Sequence, residues 1–268
     1  MKHKEIIEIV EDHFKKLEKL RHKILKNYYD DDIHDFRVSV KKLRAFLKMA
    51  NIKKEADKPL ISKLLKTFYG YIGILRNIHL QKQKVFKYTA DGKKAVPALY
   101  IQLLTNEEDC YKKDTAELIK DNNFEDVKNK IIKALPEKID KDHLKKFIGK
   151  LLKKLKKLLP GVKDDETIHS IRKILKDVLY TYPYIKNEPD LPKLISNKKK
   201  LKTITGLLGD YIDKYIELKY LAPGYLNKIN NPIEKKLLLQ IQTTHKQEKR
   251  LLKQKLHYRF NMLKMQLT

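Results

Sequence analysis

The chain has 268 residues and a formal net charge of +27, because 61 Lys or Arg residues outnumber 34 Asp or Glu residues. An apolar share of 41% excludes wholesale disorder, a single cysteine excludes an internal disulfide or a thiolate metal site, and few glycines favour helices. The charged segment Met1 to Glu11 is unlike a signal peptide, and no apolar run reaches the ~20 residues of a membrane span, so we expect a cytoplasmic protein without membrane contact.

Helical periodicity dominates the first half of the chain. One apolar stripe runs from Ile6 to Leu25, and a second stripe, with steps of four and three, runs from Phe36 to Ala50 after the acidic residues Asp30 to Asp32. Asp57-Lys58-Pro59 predicts the start of a third, long helix. A loop at residues 89–97 and shorter helices are predicted to follow.

The second half repeats this plan after a break near residue 136. Helices are predicted over residues 143–159, after Asp164 and over residues 194–221, and a last helix runs to the C-terminus. A rigid connection separates the second of these helices from the third at Pro183, Pro189 and Pro192. Because no alternating strand pattern occurs, the chain is predicted to be all-α.

Two sequence windows recur at nearly the same offset. Ile33-His34-Asp35-Phe36-Arg37 returns 135 positions later as Ile168-His169-Ser170-Ile171-Arg172. The windows 65–73 and 201–209 share five of nine residues at an offset of 136. Chance similarity seldom recurs at one offset, so we predict two equivalent helical halves that together build one domain, residues 1–135 and 136–268.

The basic residues of the first window continue along one helix face. They are spaced by three or four positions beside the apolar seam, at His34, Arg37, Lys41, Arg44 and Lys48. Like charges at this spacing repel, so the stripe is either a solvated outer face or a binding face. The second copy keeps the His, Arg and Lys in register, which favours the binding face.

A second helix face combines cations with glycines. Lys63, Lys66, Gly70, Gly73 and Arg76 share a face of the third predicted helix. A glycine inside a helix costs ~1 kcal/mol relative to Ala, so these glycines indicate that another group approaches the backbone closely. That group is either a neighbouring helix or a ligand.

These motifs resemble the CHAD family, the conserved histidine α-helical domain. The first motif is His34-x-x-Arg37-x-x-x-Lys41-Lys42-Leu43-Arg44, and the second is carried by His169, Arg172, Lys176 and Tyr180. Residues 72–77 and 201–209 resemble two further segments of the family. The resemblance covers essentially the whole chain.

The resemblance implies two four-helix bundles with long helices, related by a pseudo-twofold axis, whose basic faces line a central groove or pore and bind inorganic polyphosphate. Lys199, which the repeat pairs with Lys63, joins the residues that match the family motifs. The predicted binding residues are His34, Arg37, Lys41, Arg44, Lys66, Arg76, His169, Arg172, Lys176, Tyr180, Lys199 and Lys202.

The chain also departs from the family pattern. Leu179 stands where the second motif often has Arg, and Asn77 and His79 replace acidic positions, so weaker binding by the second half is expected. The alternating Glu-x-Glu-x-Lys strand motif of the triphosphate-tunnel domain, to which family members are often fused, does not occur. The chain is therefore predicted to be a stand-alone unit.

Three functions compete for this pattern. Polyphosphate carries about one negative charge per residue and offers no bases, so Lys and Arg contacts suffice to bind it. The alternative is nonspecific RNA binding, for which the 15 Tyr residues could serve as stacking platforms. A phosphohydrolase or polymerase is disfavoured, because neither His34 nor His169 has an acidic pair at ligand spacing and no Gly-rich phosphate loop occurs.

We therefore expect a protein that is not an enzyme and needs no metal or other cofactor. Its partner is expected to be inorganic polyphosphate, with other polyanions such as RNA as the alternative. Roles as a scaffold on polyphosphate granules, as a regulator and as a targeting module remain open at this point, as does the oligomeric state.

Overall fold

The computed structural model describes residues 1–50, 61–90, 95–120, 122–162, 164–187, 191 and 196–267, with side chains through residue 265. In these ranges the chain is helical apart from its connections and an isolated bridge between Lys2 and Lys138. The all-α prediction is confirmed for them. The helices are α1 His3–Asn27, α2 Asp30–Met49, α3 Lys63–Thr89, α4 Ala98–Ile119, α5 Glu125–Lys133, α6 Lys141–Leu158, α7 Asp165–Ile185, α8 Lys198–Tyr220, α9 Pro223–Leu226 and α10 Pro232–Leu267, with a 3-10 turn at Leu159–Gly161.

Acidic side chains determine where several helices begin. Asp140 accepts a hydrogen bond from the backbone N–H of His143 (3.0 Å) at the start of α6, and Asp164 accepts one from Thr167 (2.6 Å) at the start of α7. These caps satisfy amides that have no partner within the helix. Asp30 to Asp32 instead occupy the first turn of α2, where the helix dipole favours negative charge.

The prediction for Pro183 is wrong, because α7 includes this residue and continues to Ile185. A proline inside a helix costs ~3 kcal/mol. Ile185 is fully buried, and burial of such a side chain contributes roughly 1.5–3 kcal/mol, which offsets most of that cost. Pro189 and Pro192, the predicted helix start at residue 194 and the segment Asp57-Lys58-Pro59 lie outside the described residues.

The packing of the helices follows the repeat. The two helices with the His-x-x-Arg motif, α2 and α7, pack against each other. On one side α2 packs on α1 and α3, and on the other side α7 packs on α6 and α8; α4 then packs on α3, and α10 on α8. The repeated motifs thus meet where the halves join. That the two halves superpose at an offset of about 135 residues stays a prediction.

One hydrophobic core runs across the predicted boundary between the halves. It extends from Ile6 in α1 to Leu263 in α10 and includes a cluster of Phe36, Phe68 and Phe124, whose ring centroids lie 5.0–6.0 Å apart. A smaller apolar cluster joins α3, α4, α8, α9 and α10. Among the described helices, none is long and apolar enough to cross a membrane.

Candidate functional site

A cleft of about 340 Å³ lies along the contact between α2 and α7 and is bordered by α3 and α8. We call it the basic cleft, because eight of the described residues that line it are Lys or Arg and two are Asp. Both copies of the His-x-x-Arg motif contribute side chains. The lining residues are His34, Arg37, Lys41, Arg44, Lys48, Tyr69, Arg76, Asn77, Leu80, His169, Arg172, Lys173, Lys176, Asp177, Tyr180, Ile212, Asp213 and Ile216.

The basic cleft brings together nine of the twelve predicted binding residues: His34, Arg37, Lys41, Arg44, Arg76, His169, Arg172, Lys176 and Tyr180. Lys66, Lys199 and Lys202 do not line it, and their side chains are exposed near the starts of α3 and α8. Lys66 precedes Arg76 by ten residues, which is about 15 Å along a helix. A shared helix face therefore does not bring Lys66 to the same site as Arg76.

Arg37 crosses from α2 to the surface of α3. Its Nη1 donates a hydrogen bond to the backbone carbonyl oxygen of Tyr69 (2.8 Å), and its guanidinium carbon lies 4.3 Å from the centre of the Tyr69 ring. A Cβ atom on Gly73 would lie 2.8 Å from that guanidinium carbon and closer still to Nη1. The group that approaches the Gly73 backbone is thus a cation of the protein itself, and any larger residue there would displace it.

The second half has a looser version of this contact. A Cβ atom on Gly209 would lie 3.9 Å from Nη2 of Arg172, which is an ordinary contact distance. The Nε atom of Arg172 is buried and finds no hydrogen-bond acceptor in the described part of the chain. A Cβ atom on Gly70 or Gly206 would meet none of the described atoms within 4 Å, so of these four glycines close approach explains only Gly73.

Arg76 faces the basic cleft but also pairs with the start of α2. Its Nη1 lies 3.1 Å from Oδ2 of Asp30 and donates to the backbone oxygen of the same residue (3.2 Å). The other carboxylate oxygen of Asp30 lies 2.6 Å from Nδ1 of His79, and Gln83 donates to Asp30 as well (3.0 Å). Arg76 is therefore partly neutralised by Asp30.

Lys41 and Lys176 lack such partners, since neither forms an ion pair within the described ranges. Burial, together with the charges of Arg37, Arg172 and Lys176, lowers the pKa of Lys41 to about 8. Burial and the charge of Arg172 also lower the pKa of Lys176. Asp213 opposes the shift of Lys41, but the neighbouring cations of both lysines outnumber it.

Both histidines of the motif line the basic cleft beside these cations. Each is the fifth residue of its helix and lies just after the first turn. Burial and the charges of Arg76 and Lys41 lower the pKa of His34, although Asp35 and Asp31 oppose the shift. Burial followed by the charges of Lys173, Arg172, Lys41 and Lys219 lowers the pKa of His169. The neutral imidazole is favoured at both positions.

Sequence reasoning missed several residues that line the basic cleft. Tyr69 lies inside a repeat window, but its role depends on the side chain of Arg37 and left no signal of its own. Asp213 could have been found, because the offset of 136 that pairs Gly73 with Gly209 also pairs Asn77 with Asp213. Lys48 belongs to the basic stripe of α2 and forms an ion pair with Asp177 of α7 (2.6 Å), which ties the two motif helices together.

Metal-ligating residues do not cluster in the described part of the chain, where no group of three or more His, Cys, Asp or Glu side chains could hold a metal ion. The comparisons with known proteins agree with the geometry of the cleft. No curated protein matches the chain. The model of the CHAD domain matches residues 8–222, which include every residue that lines the basic cleft. The chain belongs to the CHAD domain family.

Proposed function

We propose that this protein binds inorganic polyphosphate in the basic cleft and leaves the polymer chemically unchanged. The observation that carries the proposal is the charge surplus in the cleft, where eight Lys or Arg residues face two Asp residues and one of these, Asp177, pairs with Lys48. The association of the CHAD family with polyphosphate supports this choice among polyanions.

The geometry suits a repeating anion. A polyphosphate chain replaces its condensed counterions with Lys and Arg, and the release of those ions drives binding. Arg172 has an unused Nε donor, and a guanidinium group binds phosphate oxygens in a forked arrangement. Lys41 and Lys176 contribute point charges that a bound anion would also relieve from mutual repulsion.

RNA is the second polyanion to consider, and the aromatic residues of the cleft argue against it. One face of the Tyr69 ring is covered by the guanidinium group of Arg37, and Lys176 lies 5.8 Å from the ring centre of Tyr180. Single-strand binders stack bases on such rings, so cations on the ring faces reduce that contribution. Competition between polyphosphate and RNA for the purified protein tests whether polyphosphate is the preferred ligand. Preferential binding of RNA would contradict the proposal.

A direct test reverses the charge of the cleft. Arg37, Lys41, Arg172 and Lys176 are replaced together by Glu, and we expect the affinity for polyphosphate to fall by at least about a hundredfold. The matched control replaces four exposed lysines of α6, Lys153, Lys154, Lys156 and Lys157, by Glu, which changes the net charge equally. Circular dichroism confirms folding of both variants. An equal loss in both would show that overall charge, and not the cleft, carries the binding.

Binding without catalysis has its own test. Polyphosphate is incubated with the protein, with and without divalent metal ions, and its length distribution is followed on a gel. We expect no shortening and no extension. In cells, cytoplasmic protein should collect on polyphosphate granules, and the charge-reversed variant of the cleft should not.

A further inference from the structure

A second cavity opens beside the basic cleft, on the side of the second half. It has a volume of about 480 Å³ and shares His169, Lys173, Ile212 and Ile216 with the cleft. Beyond them it is bordered by Tyr215 and Lys219 of α8 and by the acidic start of α7. We call it the side cavity. The two spaces are neighbours that meet at His169.

In the first half, polar contacts occupy the corresponding position. The offsets of the repeat pair Asp30 with Asp165, Arg76 with Ile212 and His79 with Tyr215. Arg76 and His79 both bind the carboxylate of Asp30 and so draw α3 toward the start of α2. Ile212 has no polar group, and in the second half the contact with the aspartate comes instead from Tyr211, one position earlier in α8. The side cavity lies beside this contact.

Two basic side chains, Lys173 and Lys219, and two acidic ones, Asp165 and Glu166, line the side cavity. Glu166 is exposed to solvent, which weakens its effect on a bound anion. Asp165 accepts hydrogen bonds from Tyr211 and from the ammonium group of Lys249 (2.7 Å), so its charge is already compensated. The ammonium group of Lys219 lies 4.6 Å from the centre of the Tyr215 ring, which holds it at the cavity. The first half has uncharged Gln83 at the position that corresponds to Lys219.

The charged side chains around His169 are also mainly cations. After burial, the causes that lower the pKa of His169 are four cations, Lys173, Arg172, Lys41 and Lys219. Two of these cations, Arg172 and Lys41, line the basic cleft, Lys173 lines both spaces, and Lys219 lines the side cavity. Cations thus follow one another from the basic cleft past His169 to Lys219, and the lining of the side cavity also includes the exposed carboxylate of Glu166.

We propose that a polyphosphate chain too long for the basic cleft continues past His169 into the side cavity, where Lys219 binds it. This inference rests on the proposed function and deepens it, because it gives the bound polymer a direction and a dependence on length. It also reverses the expectation that the second half binds more weakly. The departures from the family motif would lower the contribution of α7 alone, whereas the side cavity adds a contact with Lys219, where the first half has uncharged Gln83.

The test measures how a substitution at each of two exposed lysines of α8 changes the affinity for polyphosphates of two lengths. Lys219→Glu is the test variant and Lys200→Glu is the control, because both remove one cation from α8 and only Lys219 lines the side cavity. Lys173 is left intact, since it lines both spaces. Affinities are measured for tripolyphosphate and for a polymer of roughly a hundred phosphates, which greatly exceeds the cleft.

For the long polymer we expect Lys219→Glu to lower the affinity about fivefold more than Lys200→Glu does, and to reduce the slope of log affinity against log salt by about 0.7. The affinity for tripolyphosphate should change less than about twofold in either variant. Equal losses in the two variants, or an equal loss for both ligands, would overturn the path through the side cavity. Failure of the unaltered protein to bind either ligand would instead reject the proposed function.

Discussion

The two copies of the repeat begin their motif helices with an aspartate and use it differently. In the first half Asp30 binds Arg76 and His79 of α3, so a cation that faces the cleft is partly neutralised. In the second half Asp165 binds Tyr211 of α8 and Lys249 of α10, and the side cavity opens beside the cleft. Equal motifs can therefore give the two sides of one site different contacts and different charge.

A second difference concerns the motif arginines. Arg37 is fixed by a hydrogen bond to the backbone of α3 and fits only because residue 73 is Gly. Arg172 lies farther from Gly209, and its Nε atom has no acceptor in the described part of the chain. The first half thus holds its arginine by a backbone contact, whereas in the second half one buried donor of the arginine has no acceptor among the described residues.

Among single substitutions, the largest effect is expected from Gly73→Ala. The added methyl group overlaps the guanidinium group of Arg37, so this side chain must leave the Tyr69 carbonyl and the cleft. We expect the affinity for polyphosphate to fall about tenfold, as for the loss of one charge-assisted contact. Calorimetric titration with polyphosphate measures the loss.

The glycines of the chain provide matched controls for this change. Gly209→Ala should leave the affinity within about twofold, because 3.9 Å is an ordinary contact. Gly70→Ala and Gly206→Ala meet none of the described atoms and should raise the free energy of unfolding by about 0.5–1 kcal/mol without changing the affinity. If Gly73→Ala binds as tightly as Gly70→Ala, the contact between Gly73 and Arg37 does not position the arginine for the ligand.

The next effect concerns the free energy of unfolding, to which His79 contributes in the first half. Burial lowers the pKa of His79, but the hydrogen bonds and charges of Asp30 and Glu108 outweigh it, so the pKa is raised. The stabilisation by charged His79 is complete below its unfolded value near 6.5 and is lost as the pH rises through the raised value. We expect His79→Gln to lower the free energy of unfolding by roughly 1 kcal/mol at pH 6 and by less at pH 9.

Chemical denaturation across this pH range measures the difference between the variant and the original protein. His257→Gln is the control, because His257 is exposed on α10. A constant difference between pH 6 and pH 9 would mean that His79 stabilises the first half by packing and not by its charge.

The sequence predicted α2 and its basic face because the period of Phe36, Val40 and Leu43 places His34, Arg37 and Lys41 together on the helix. It also predicted that the second copy would contribute to the same site. The contacts of Asp30 with Arg76 and His79 could not be predicted, because they depend on how α3 packs on the start of α2. Motif matching likewise grouped Lys66 and Lys202 with the cleft residues, but both lie near the starts of α3 and α8, away from the part of each helix that lines the cleft.

A smaller effect is expected from the titration of Lys41, which lies where the two halves meet. The pKa of Lys41 is lowered to about 8, so the free protein loses this positive charge as the pH rises through 8, and a bound polyanion favours the charged form. We expect the affinity for polyphosphate to fall about threefold between pH 7 and pH 9. Lys41→Arg stays charged throughout and should remove this fall, whereas Lys42→Arg, at the exposed neighbouring position, should retain it. Binding assays at a series of pH values decide, and an unchanged fall in Lys41→Arg would assign it to another group.

The smallest effect concerns the histidines, whose pKa values are both lowered in the free protein. A bound polyanion raises these values, so binding takes up protons, and the affinity should rise by less than about twofold as the pH falls from 7 toward 6. The surroundings of the two residues differ. Asp35 and Asp31 already oppose the cations around His34, whereas the charges that act on His169 are cations.

The two imidazoles should therefore respond unequally to polyphosphate. A polymer that continues into the side cavity brings additional negative charge close to His169 but not close to His34. We therefore expect the larger rise in pKa at His169. NMR titration with and without polyphosphate measures both values, and His34→Gln and His169→Gln assign the signals. A larger shift at His34 would place the polymer on the first half and contradict the path through the side cavity. If neither pKa moves, the histidines stabilise the helix packing, and the Arg and Lys side chains alone form the binding site.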